Sequence, residues 1–89
     1  MAQPVNANQN EAAVVAAANL AADAVLGTAA NPGTQAQLAQ NTTAAGRQNM
    51  HTGLEAHSDA LDALPHTALV AAATARVQTA LEWLEAIDP

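Results

Sequence analysis

A chain of 89 residues with alanine at 26 of them and no cysteine makes at most one small domain, with a thin core and no disulfide to support it. The formal net charge is −6, Arg47 and Arg76 are the only strong bases, and there is no lysine. Two cations neither displace counterions along a phosphate backbone nor hold a chain on an anionic bilayer, so nucleic-acid binding and membrane-surface attraction are excluded.

Residues 1–8 are polar, carry Pro4, and read as an extended arm ahead of a single small helical domain over residues 9–89. Asn8 and Glu11 have capping-box spacing, which starts a first helix near Gln9. Gly27 ends it after Leu26. Three apolar stripes run along this helix: Val14, Ala18, Ala21 and Val25; Val15, Ala22 and Leu26; Ala13, Ala17, Leu20 and Ala24. The polar line of Glu11, Asn19 and Asp23 is narrow, so burial on most sides is expected. Asn19 and Asp23 also interrupt the apolar stretch, which is too short to span a bilayer, and membrane insertion is not expected. The N-terminus lacks the cationic start and apolar run of a signal peptide, which implies cytoplasmic synthesis or association with a virion.

Asn31-Pro32-Gly33 marks a turn. Thr34 and Gln37 repeat the capping-box spacing, and no proline follows until Pro65. One long central helix, straight or kinked and about 45 Å in length, is the expectation for residues 34–64. A rival reading breaks it near Gly53, where Thr52 and Glu55 could cap a new helix and two glycines weaken the old one. Ala39, Gly46, Gly53 and Ala60 recur every seven residues as a seam of very small side chains. Met50, His57 and Leu64 lie on the neighbouring line, and Leu54 and Leu61 flank it. These seven residues, Ala39, Gly46, Met50, Gly53, His57, Ala60 and Leu64, are the candidate helix-packing interface. Pro65 suits the first turn of a last helix running to Ile87. Leu69, Ala73, Val77, Ala80, Leu84 and Ile87 form its apolar face, widened by Val70 and Leu81. The fold class is therefore all-α: two or three helices in an antiparallel hairpin with a long central helix and an additional helix before it.

Chemistry is sparse. There is no serine–histidine–acid arrangement, no glycine-rich phosphate loop and no cysteine nucleophile, so no catalytic residue is assigned and an enzyme is not expected. His51 and Glu55 share a helix face, but two ligands do not make a zinc site, and no metal or cofactor is expected. His57 would be a pH sensor if buried on the seam line, though a structural histidine is the simpler reading. Arg76 lies within the apolar arc of the last helix. It must snorkel or pair with an acid, either Asp59, Asp62 or one on a partner. Trp83, the only large ring, is with Arg76 a candidate partner anchor.

The Pro4-Val5-Asn6 start, the Val25-Leu26-Gly27 stretch and the run Ala36-Gln37…Thr42-Thr43-Ala44-Ala45-Gly46 resemble subunits of R-bodies, the coiled bacterial ribbons formed by Reb proteins. The resemblance implies a small helical chain that packs into a larger assembly. The composition is also similar to that of helical-hairpin proteins of type VII secretion and of alanine-rich structural proteins of bacterial viruses. The expected function is a non-enzymatic structural subunit. Its partners are copies of itself or other structural subunits, with no small-molecule substrate. The alternative is a small acidic helical binding module, such as an antitoxin, an anti-defence inhibitor or a secretion adaptor, acting on one protein partner.

Overall fold

A computed structural model describes the chain from Asn6 onward, with side chains from Asn10. It contains four helices among the described residues: α1 (Asn6–Leu26), α2 (Gln35–Asn41), α3 (Ala44–Asp62) and α4 (Ala68–Ile87). The all-α class holds, and the helix count is one more than the upper expectation.

The first helix begins at Asn6, inside the segment expected to be an extended arm; the rest of that arm, with Pro4 and Val5, lies outside the described residues. It ends as the sequence indicates. Gly27 follows Leu26 at φ +80°, a conformation disfavoured for any residue with a Cβ, and its N–H bonds the Asp23 carbonyl at 2.9 Å. The chain then turns back, and the Gly33 N–H meets the Leu26 carbonyl at 2.8 Å.

The long central helix is the main correction. It divides at Thr42–Thr43, and Gly53 sits in the continuous interior of α3. Both threonines are extended, at φ −134° and −99°. The Thr42 hydroxyl donates back to the Leu38 carbonyl, and the Thr43 hydroxyl accepts the Gly46 N–H at 3.0 Å. One hydroxyl therefore serves the end of α2 and the next serves the start of α3. The Thr34–Gln37 capping box at the start of α2 is present with both of its bonds. Gly53 costs α3 about 1 kcal/mol in propensity, but Leu54 and Leu61 are fully buried and hold the helix through it. The last helix starts later than Pro65. Thr67 is its N-cap, and its hydroxyl accepts the Val70 N–H at 3.2 Å.

Polar contacts establish the helix directions. Glu11, early in α1, accepts from the Thr67 hydroxyl at the start of α4, and Asp23 pairs with Arg76 farther along both. Helices α1 and α4 are thus parallel. Arg47 near the start of α3 meets Asp88 beyond the end of α4, and Ser58 meets Gln78, so α3 is antiparallel to α4. The short α2 touches α1 and α4 and bridges the end of α1 to the start of α3.

The core joins all four helices. Val15, Ala18, Ala22 and Val25 come from α1, Leu38 from α2, and Leu54 and Leu61 from α3. Six come from α4: Val70, Ala73, Val77, Ala80, Leu81 and Leu84. Leu69, expected on the buried face of α4, is 53% exposed, because that face is centred on Val70 and Val77 instead.

Candidate interaction surface

No helix of this chain comes close at the two glycines of the seam. Helix α3 buries Leu54 and Leu61, the residues beside it. At 100° per residue this turns Gly46, Gly53 and Ala60 to one flank of α3. His51 and Ser58 on the other flank reach Glu85 and Gln78 of α4, so the small residues lie on the side of α1. A Cβ built on Gly53 would have no atom within 4 Å, and one on Gly46 would meet only the local Thr43 hydroxyl at 3.2 Å. The backbone of α1 therefore makes no close approach at either glycine. Ala39 is on α2, severed from the sevenfold line by the Thr42–Thr43 break, and is exposed. Met50 and Leu64 are partly buried against the chain's own core, and His57 is half-buried.

A second apolar surface lies on α1. Only one of its faces is buried, contrary to the expectation of burial on most sides. Ala13, Ala17, Leu20 and Ala24 all face outward, and Leu20 is 72% exposed. No charged side chain lies on the line.

Both arginines are engaged internally. Arg76 donates to the Asp23 carboxylate at 2.7 Å and to the carbonyls of Gly27 and Asn19 at 3.1 and 3.4 Å. Its partner is thus an acid of α1 rather than Asp59 or Asp62. Arg47 pairs with Asp88 and donates to the carbonyls of Thr42 and Ala39 at 3.1 and 3.4 Å. Each arginine supplies positive charge to a helix C-terminus where carbonyls lack partners, Arg76 at α1 and Arg47 at α2. Sequence reading located Arg76 as unusual but missed Arg47, whose distant partner no spacing rule indicates. The Arg47 contact holds the Asp88 carboxyl below its ordinary range, chiefly through their hydrogen bond. Trp83 is half-buried against the core.

A cleft of about 490 Å³ between α3 and α4 contains Arg47, His51, Glu55, Glu85 and Asp88. Glu85 approaches Nε2 of His51 at 2.8 Å, while Glu55 approaches Nδ1 at 3.5 Å. The carboxylates address opposite ring nitrogens and do not converge on one point. No group of three potential metal ligands is found among the described residues. No helix is long and apolar enough to cross a membrane among those residues.

No family model, no curated protein and no solved structure matches the chain.

Proposed function

We propose that the protein is a non-enzymatic structural subunit that associates with copies of itself through helix packing, in a ribbon of the R-body kind or as a component of a virion. The observation that carries this reading is Leu20, 72% exposed at the centre of the uncharged alanine line on α1. An isolated leucine at a surface is ordinary, but this one continues a line of exposed alanines from Ala13 to Ala24. The open flank at Gly53 supports the same reading, since a neighbouring helix could approach its backbone closely. A net charge of −6 with both arginines paired internally opposes contact elsewhere and favours the uncharged surfaces.

Sedimentation of the purified protein across a wide concentration range tests the proposal, with negative-stain microscopy to show the form of the product. Concentration-dependent oligomers, ribbons or shells are expected. A fully helical, stable monomer from nanomolar to high micromolar concentration overturns the proposal. A tight complex with one different protein, recovered from such a monomer, would establish the acidic binding module in its place.

A further inference from the structure

We propose that the outer face shared by α1 and α4 is a two-fold contact with a second copy of this chain, to which Leu69 of α4 contributes together with Leu20 of α1. This contact rests on the chain being a self-associating subunit and gives that association its surface. Leu20 and Leu69 are the large apolar side chains left exposed among the described residues, and the helix geometry places them on one surface. Arg76 reaches Asn19 and Asp23, so its line on α4 borders theirs on α1. Leu69 lies seven residues before Arg76, two turns back along the same line, and Ala12 and Ala16 lie seven residues before Asn19 and Asp23. The bond between Glu11 and Thr67 fixes the level of the two helices, so Leu69 stands beside the Ala12–Ala16 edge. Leu20 follows Ala16 by one turn, and Ala12, Ala16 and Ala72 are all exposed.

Charge favours a copy of the same chain as the occupant. The face is bounded by groups that are already partnered, Glu11 with Thr67 and Arg76 with Asp23. The remaining acids lie elsewhere. Glu55, Asp59 and Asp62 are on α3, and Glu82, Glu85 and Asp88 follow Arg76, which itself reaches the end of α1 at Gly27. A charged partner finds nothing here to pair with. An acidic chain meets its own copy without repulsion only where acids are absent, and this face meets that condition. Two copies apposed through it cover all four leucines and leave every carboxylate outside the contact or in its internal pair.

Size selects the same occupant. Helix α1 offers a strip about 30 Å by 10 Å, and the first two turns of α4 add about a third, giving on the order of 400 Å² per copy and about 800 Å² in total. That is the weak end for a specific contact, and too small for a tight complex with one separate protein. It suffices between copies held in an assembly, where neighbouring contacts raise the local concentration. A two-fold contact closes with two copies, so a ribbon or shell needs a second surface as well.

The chain has no cysteine, so a single introduced one reports its own neighbour. Ala16→Cys, near the middle of the face, should cross-link to itself through a short bismaleimide in most of the associated protein. Ala56→Cys, exposed on α3, should not. In sedimentation equilibrium Leu69→Glu should weaken the dimer by at least tenfold, although it lies on a different helix from Leu20. Ala56→Glu adds the same charge away from the face and should change the dissociation constant by no more than about twofold. Far-UV circular dichroism checks that each variant is folded. Normal association of folded Leu69→Glu, or association of Ala16→Cys without the cross-link, overturns this face while leaving self-association in place. An unmodified protein that stays monomeric at every concentration overturns both.

Discussion

At the scale of single residues, the termini of the helices explain most of the polar architecture. Gly27 is the clearest case. A Cβ there would sit 2.4 Å from the Gly33 nitrogen and 2.5 Å from the Asn31 oxygen, both backbone atoms that no rotamer change can move. Gly27→Ala also forces an L side chain into the left-handed region at about 1–2 kcal/mol. It should lower the melting temperature by roughly 5–15 °C in a thermal scan. Arg76 is a second case. Arg76→Met keeps the apolar stem but leaves Asp23 without its cation and the Gly27 carbonyl without its donor. Both partners are about one-third exposed, so water recovers part of the loss, and a cost of roughly 1–2 kcal/mol is expected from urea denaturation. Asp88 gives a pH prediction with a definite sign. Its folded carboxyl titrates below the ordinary 3.8, so the Arg47 contact contributes above that pH and is lost as pH falls through the folded value. The stability gap between the unmodified protein and Asp88→Asn should be constant near neutrality and close in strongly acidic solution. A gap that persists at the lowest pH would mean that the ion pair is not its source.

At the scale of elements, the instructive point is why residues 34–64 form two helices. The Thr34–Gln37 box and the Gly27 stop were legible because each is a local hydrogen-bonding pattern, and both are present. The break at Thr42–Thr43 carries a similar signal, a threonine that can cap the third residue beyond it. The glycines carry the larger propensity cost, and by that measure a break is expected at Gly53 instead. Propensity decides little once a helix is anchored, and α3 is anchored by the buried Leu54 and Leu61 after Gly53 and by the partly buried Met50 before it. Thr67 was obscured in the same way by Pro65. Thr43→Ala removes the cap of α3 and should cost about 1 kcal/mol, measured by denaturant midpoint. A stabilising effect would show that α2 and α3 gain by fusing and that the cap does not create the break. The seam was legible as a pattern but not as a direction. Sevenfold spacing places small residues on one line, and only the burial of Leu54 and Leu61 shows that this line faces sideways. The partners of Arg47 and Arg76 were not legible, because contacts between residues far apart in sequence depend on how the helices pack.

At the scale of the whole molecule, four of the thirteen buried core residues are alanines from α1 and α4 that bring their helices together while contributing little area each: Ala18, Ala22, Ala73 and Ala80. The same economy of volume leaves α1 with a bare outer line and α3 with an open flank. Two substitutions can separate these surfaces as sites of self-association. Leu20→Glu changes a side chain exposed in the monomer, so monomer stability should move by no more than about 0.5 kcal/mol. Any two copies meeting through α1 would then bury an unpaired carboxylate in each, and association should weaken by at least tenfold. Gly53→Leu starts into open space in the monomer, since no atom lies within 4 Å of the added Cβ. It should leave the fold intact and block any helix that approaches the α3 flank, whereas Gly53→Ala adds too little to do so. Sedimentation of the variants at matched concentrations therefore gives a direct reading. Loss with Leu20→Glu alone assigns the contact to α1, loss with Gly53→Leu alone assigns it to α3, and loss with both indicates a shared surface or an assembly using two contacts. Normal association of both variants would remove these surfaces from the account of how the protein assembles.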